Sequence, residues 1–367
     1  MADYKPPLAL QKINDAEAWL HTGVTEPIRV IGTEAIRETF DEKTLQQAVN
    51  ARLSPGVKQV VLNPDAHVGF GAPIGCVMVS PTHIYPGPVG VDIKCSMSLL
   101  QFNLDADAVR DRRVRRELIN AICDRTPTGY GKHQRKVRKS RPVDWCHQRN
   151  HKGLGFKAVT EGASQEVCNA LGIPLEWTNR CEDSSHVGHD GTRDALVARL
   201  EHLIAKVKLT KQSFASVFNE KIQQLGSYGG GNHFGECEIV HVADNDKARE
   251  TAEQFGLIDG SVAFFSHCGS RGFGNILATG QFKVLQQRFR DWGIPFPGGD
   301  KELVYAPLGN PEADDYLDDM AMGGNFATVN HLLINALVEE SVSGSVSRRQ
   351  VAFHLLHQPQ HSAARTA

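Results

Sequence analysis

The sequence predicts a mixed α and β fold, and three observations carry that expectation. Strand-like runs at Gln59 to Leu62, Cys237 to Val242 and Ser261 to His267 alternate irregularly with helical patterns. No tandem repeat, low-complexity tract or convincing linker interrupts the chain. Its 367 residues suffice to bury a sizeable core, as one large domain or two ordinary ones.

The elements follow from periodicity. A helix is expected from about Asp105 to Cys123, with Val114, Leu118, Ala121 and Ile122 on one face and arginines on the other. A second runs from about Arg193 to Leu209, burying Leu196, Leu200, Leu203, Ile204 and Val207. The Gly- and Pro-rich piece from Gly293 to Asn310 reads as a surface connection. A helix around Asn325 to Glu340 follows it, turning Phe326, Val329, Leu333, Ala336 and Leu337 inward. His202 and His331 fall within such patterns and read as ordinary helix residues.

Composition narrows the class. Met1 to Lys12 has no basic stretch leading into an apolar run, and nowhere do eighteen apolar residues follow one another. The expectation is a cytoplasmic protein without a membrane span. Eight cysteines are scattered without a C-x-x-C pair, so most are expected to be buried thiols rather than disulfides. The net charge of -2 hides a basic stretch from Lys132 to Lys152, interrupted only by Asp144, and an arginine cluster from Arg110 to Arg116. Such charge beside Trp145 and Tyr130 suits a phosphate backbone, and equally a solvated surface.

Four polar clusters carry the chemistry. Asn63-Pro-Asp-Ala-His-Val-Gly-Phe-Gly71 follows a β-branched run, so Asp65 and His67 are expected at a strand end, either as catalytic groups or in an Asx turn. In Gly87-Pro-Val-Gly-Val-Asp-Ile-Lys-Cys95, Asp92 and Cys95 lie three apart on a turn or incipient helix, facing one side. A carboxylate with a thiolate suits zinc or manganese better than magnesium or calcium, and the alternative is a helix cap followed by a buried Cys. Gly226-Ser-Tyr-Gly-Gly-Gly-Asn-His-Phe-Gly-Glu236 delivers His233 between an amide and a carboxylate, toward a bulky anionic ligand or as a plain turn. In Phe264-Phe-Ser-His-Cys-Gly-Ser-Arg-Gly-Phe-Gly274 an apolar strand ends in His267, and the loop after it has the makings of a phosphate nest. Each cluster alone is weak; four in order, each pairing a ligand type with a glycine-rich turn, point to a metalloenzyme holding its metal by Asp92, Cys95, His233 and His267.

These motifs, from about Val60 to about His331, resemble the RtcB family of RNA ligases. The resemblance implies a single α+β domain with a deep metal-lined cleft, two Mn2+ ions and GTP. The implied reaction joins RNA ends bearing 3'-phosphate or 2',3'-cyclic phosphate to 5'-hydroxyl ends, as in tRNA splicing or RNA repair. Its implied partners are RNA, as tRNA halves or broken RNA, and an activating protein. It also implies that Asp92, Cys95, His233 and His267 are metal ligands, with Cys95 bridging two ions. Asn232, His233, Phe234, Gly235 and Glu236 then form the guanylate-contacting segment, Asp65 lies near the catalytic centre, and Arg271 handles phosphate.

The chain departs from that pattern late. The family's nucleophilic His sits in His-Gly-Ala-Gly-Arg, preceded by a metal His in a His-Asn-Ile-Ala type segment, and neither occurs here. Codons permitted for His357 to Thr366, read one base later, spell Ile-Asn-His-Asn-Ile-Ala-Arg-Gln-Glu. The expectation is a ligase domain over 1–353, incomplete at its C-terminus, and an aberrant or disordered tail over 354–367, whose His354, His357 and His361 are the one candidate substitute site. Two further readings remain open: a metal-dependent phosphoesterase using Asp65, His67, Asp92, Cys95 and the two histidines, and a non-catalytic remnant that binds metal, guanine nucleotide or RNA.

Overall fold

The structure, a computed structural model, describes residues 8–129, 152–181 and 220–345. The expected helix at Arg193 to Leu209, the basic stretch from Lys132 to Lys152 apart from the start of a helix, and the tail from 354 lie outside the described residues. The fold is α+β: a five-stranded and a three-stranded sheet, with a two-stranded pairing besides, and helices gathered mainly against the three-stranded one.

The N-terminal sheet has five strands in sequence order, β1 (Leu10–Asn14), β2 (Glu17–Leu20), β3 (Ile28–Ile31), β4 (Gln59–His67) and β5 (Ile74–Val79). Neighbours are antiparallel except β3 and β4, a parallel pair that requires a crossover. Helix α1 (Glu42–Arg52) supplies it, started by Asp41, whose side chain accepts from the Thr44 N–H at 2.7 Å. Leu45, Ala48 and Val49 on α1 pack over Val30, Val60 and Leu62 in one apolar cluster.

The second sheet is built from strands far apart in the chain. β6 (Ser96–Asp105) and β7 (Phe234–Ile239) flank β8 (Ser261–Cys268), all antiparallel. β8 is buried almost throughout, whereas β7 is largely exposed. Helix α2 (Arg112–Arg125) buries Leu118 and Ile122 and exposes its arginines, as its periodicity requires. Helices α3 (Lys152–Thr160), α4 (Asp246–Phe255), α5 (Arg271–Trp292) and α6 (Pro311–Ser345) complete the fold. The α6 helix is longer than its apolar periodicity suggests. Residues 321–338 are all buried, so it is a central strut rather than an amphipathic cover.

Two other expectations change. The stretch from Gly293 to Asn310 is not only a surface connection, because Leu303, Val304 and Ala306 are fully buried. Ala306 and Pro307 pair with Ile84 and His83, and Val304 joins Phe289 and Tyr316 in a third apolar cluster. Strand β4 also continues through Asn63-Pro64-Asp65 to His67, with a break in register between Leu62 and His67. Asp65 and His67 therefore lie at the strand end, as expected, but on its irregular last residues rather than in an Asx turn after it.

Candidate metal centre

Strand β8 explains how three distant segments meet. His267 pairs with Met97 on β6 and with Phe234 on β7, so Cys95 and His233, each just before its strand, arrive at the same end of the sheet. Cys95 Sγ lies 2.8 Å from His267 Nε2 and 3.4 Å from His233 Nε2. These three donor atoms all fall within 4.8 Å of one another.

Asp92 joins them through the tight turn expected from its spacing. The Cys95 N–H donates to the Asp92 carbonyl at 3.0 Å, and Lys94 between them takes a left-handed φ of 56°. Lys94 Nζ donates to Thr328 Oγ1 on α6 at 2.7 Å, which holds the turn in that uncommon conformation. Gly323 on α6 lets the helix come close to this turn, since a Cβ there would stand 2.9 Å from the Ile93 side chain. Asp92 Oδ2 then sits 2.7 Å from His233 Nε2, while Ser270 donates to Oδ1 at 3.2 Å.

The protonation chemistry fits a cation. His233 Nδ1 lies 2.6 Å from the Tyr228 carbonyl, a contact that requires Nδ1 to carry its hydrogen. Its Nε2 then faces the buried Asp92 carboxylate, and two lone pairs at that distance need a proton or a metal between them. Burial opposes charge on His233, yet its bond to Asp92 and that carboxylate's charge raise its pKa above the ordinary imidazole value. Burial likewise disfavours charge on Asp92, but His233, Cys95 and Ser270 hold its pKa below the usual carboxylate range. Burial and the Asp92 charge push the Cys95 thiol up, so a metal binding here must displace its proton. A thiolate, two imidazoles and a carboxylate form a donor set for a borderline divalent cation.

Asp92, Cys95 and His233 line a cavity of about 520 Å³ together with Asn232, Gly231, Arg271, Gly272 and Asn275, whereas His267 is not among its lining residues. Arg271 begins α5, has φ 56°, and its Nε donates to Ser227 Oγ at 3.3 Å. Its guanidinium occupies the space a side chain at residue 229 would need, since a Cβ on Gly229 would lie 1.5 Å from Nη1. Burial lowers the Arg271 pKa, while Asp92 and Cys268 oppose that shift. An arginine and the first turn of a long helix at one cavity wall favour an anion.

The predicted residues do not all converge. Asn232 and His233 line this cavity, but Gly235 and Glu236 line a separate apolar cavity of about 530 Å³ beside α2. Phe234 packs its ring against His267, with centroids 5.7 Å apart. Asp65 is exposed on β4 and is not among the residues lining the metal-centre cavity, although neighbouring Pro73 and Ile74 are. Sequence reasoning missed the buried polar groups of α6, Thr328 and Asn330. Their signal was an interruption of apolar character in the run from Phe326 to Leu337, a pattern easily taken for helix surface.

Fold and donor set together define an α+β protein whose candidate metal centre adjoins the first turn of a long helix. A family model described as tRNA-splicing ligase RtcB matches residues 47–366, and the chain belongs to that family. A tRNA-splicing ligase RtcB of Thermococcus kodakarensis is 31% identical over 328 residues, covering 88% of this chain and 60% of the relative. Those of Pyrobaculum aerophilum and Archaeoglobus fulgidus are each 29% identical, covering 98% and 94% of this chain and 68% and 64% of their own lengths. The chain thus spans roughly two thirds or less of these relatives, three fifths in the first case. Among the described residues no helix is long and apolar enough to cross a membrane.

Proposed function

We propose that this chain carries the metal and nucleotide half of a GTP- and Mn2+-dependent RNA ligase, joining 3'-phosphate or 2',3'-cyclic phosphate ends to 5'-hydroxyl ends in the cytoplasm. The observation that carries the reading is the buried Asp92, Cys95, His233 and His267 cluster beside Arg271 and the α5 N-terminus. The four donors would hold manganese, which supplies Lewis-acid polarisation of phosphoryl oxygens. Ser227 and Gly229 orient the Arg271 guanidinium toward the place where a phosphoryl group enters. The Tyr228 carbonyl fixes the His233 ring, and Asn232 beside it offers an amide to a nucleotide. Asp65 is assigned to the catalytic neighbourhood by resemblance, and Phe234, Gly235 and Glu236 to the guanylate segment.

The 367 residues contain no His-Gly-Ala-Gly-Arg stretch to provide a nucleophile. A polypeptide of this sequence is therefore expected to bind manganese without taking up labelled GMP from GTP or ligating RNA, whereas one continued past Leu356 in the shifted frame should do both. Uptake and ligation by the unextended polypeptide would place the nucleophile in the tail histidines instead. Release of phosphate from RNA ends without GTP would favour the phosphoesterase reading.

RNA contact is assigned to the basic stretch from Lys132 to Lys152, an assignment that rests on charge density alone. Binding through it should weaken with salt at a log-log slope of about -0.7 per phosphate contact on single strands. Affinity that survives charge reversal at Arg135, Lys136 and Arg138 would show a solvated surface.

A further inference from the structure

We propose that Asn330 is the positioning residue of the metal centre, one buried amide that fixes the loop bearing His233 against the loop that follows His267. The inference rests on the metal-centre reading and concerns what holds the donors in place before any ion arrives.

Asn330 lies on α6, is fully buried, and is not itself among the residues lining the cavity. Its Oδ1 accepts from the backbone N–H of Gly226 at 2.7 Å and of Ser227 at 3.3 Å. Its Nδ2 donates to the carbonyl oxygens of Gly269 at 3.0 Å and Ser227 at 3.3 Å, with Cys268 Sγ at 3.6 Å. The amide orientation is unambiguous, since turning it over would set its nitrogen against two N–H donors and its oxygen against two carbonyls. A primary amide can accept two bonds and donate two, and this one uses that full capacity on two loops that meet at the same end of the sheet.

Both loops are glycine-rich, and the bonds that cross directly between them use side chains, from Arg271 to Ser227 and from the Gly272 N–H to Gln224, so Asn330 adds a reference held by backbone groups of both. From Ser227 the chain reaches Tyr228, whose carbonyl fixes His233, and the Ser227 hydroxyl receives Arg271. From Gly269 the chain leads back through Cys268 to His267 and forward to Ser270, which donates to Asp92. The next residue of α6 extends the same clamp, because His331 Nε2 lies 2.8 Å from the Cys268 carbonyl and 3.1 Å from Ser96 Oγ, one residue past Cys95. Asn330 thus sets the separation of the His233 and His267 rings, whose centroids stand 5.4 Å apart. A hydrophobic residue of similar volume would fill the space and lose the reference.

The test uses the full chain, prepared free of metal and without oxygen, and titrated with Co2+, whose thiolate charge-transfer band reports a Cys95 bond. Asn330→Ala and Asn330→Asp are compared with Asn335→Ala, a control of equal burial on the same helix whose side chain bonds Ser98 rather than either loop. Measured below the unfolding range of every variant, the two Asn330 variants should bind about 10–100-fold more weakly and shift or weaken the band. Asn335→Ala should lose melting temperature yet keep affinity within about twofold of wild type. Asn330→Asp preserves volume and the accepting half, so it carries the comparison if Asn330→Ala does not fold. In the unaltered metal-free protein the Gly226 and Ser227 amides should exchange hydrogen slowly, and fast exchange overturns the inference. Asn330 variants that bind like wild type with an unchanged band overturn it too. A wild-type protein with no thiolate band overturns the metal-centre reading itself, which separates the two failures.

Discussion

The two sheets carry sequence motifs of the same kind, an apolar run followed by an acid or histidine and a glycine-rich turn, yet only one builds a buried site. In the N-terminal sheet the motif falls on β4, and Asp65 and His67 finish on the surface, where His67 Nδ1 merely meets the Asp65 carbonyl at 2.7 Å. In the second sheet it falls on β8, whose end is covered by α5 and α6 and flanked by two strands that each deliver another donor. Both β4 and β8 are interior to their sheets, so a motif becomes a candidate metal centre when the flanking strands deliver further donors and its end is buried. The residue types are alike, and the difference lies in the neighbours.

The largest expected effect tests that contrast directly. Cys95→Ala removes the donor that touches both histidines and should abolish manganese or cobalt binding, a loss of about 100-fold or more measured by elemental analysis and titration. Asp65→Ala and His67→Ala should leave metal affinity within about twofold. If Asp65→Ala loses metal as Cys95→Ala does, the surface motif belongs to the centre and the contrast between the sheets collapses.

A second pair sharpens the same contrast within one loop. Gly229 and Gly231 both take positive φ, at 91° and 77°, but an added Cβ at Gly229 meets the Arg271 guanidinium whereas nothing lies within 4 Å of one at Gly231. Gly231→Ala should cost only the left-handed backbone penalty of about 1–2 kcal/mol in thermal or denaturant unfolding. Gly229→Ala adds overpacking of about 1–3 kcal/mol to that penalty and displaces Arg271, so it should also weaken phosphate binding. Equal stability losses for the two would mean that Arg271 yields freely and is not held by the loop.

Much of this was readable from residue order because strands and ligands share short local signals. The β8 run from Ser261, the arginine-faced α2, and the segments that bring Cys95, His233 and His267 together are visible as patterns within a dozen residues. What stayed hidden depends on distant partners. The continuation of β4 past Pro64 follows from pairing with β5 on either side of a register break. Burial of Leu303 and Val304 follows from docking onto two clusters laid down elsewhere in the chain. Asn330 looked like a helix residue because its partners lie 61 to 104 positions away. The division of the Asn232 to Glu236 segment between two cavities follows from where the loop ends, since Asn232 and His233 precede β7 and Gly235 and Glu236 lie on it.

The smallest effect distinguishes the buried pair from surface charge elsewhere in the molecule, and it appears in the metal-free protein. Asp92 has a pKa held below its unfolded value, so its contribution to stability is present above the ordinary carboxylate range and is lost as pH falls through the lowered value. His233 has a pKa raised above 6.5, so its contribution is full below that value and is lost as pH rises through the raised one. The pair therefore stabilises the metal-free fold in the window between the two, and the melting temperature should decline on the alkaline side of 6.5. Asp92→Asn removes the charge that raises His233 and should flatten that decline, while the exposed pair Arg249 and Asp246, both well solvated, should contribute nothing to it. Added manganese replaces the shared proton, so binding should release protons into weakly buffered solution, more of them at pH below the His233 value than above it. If the alkaline decline persists unchanged in Asp92→Asn, the proton between these two side chains is not what the buried centre holds when it is empty of metal.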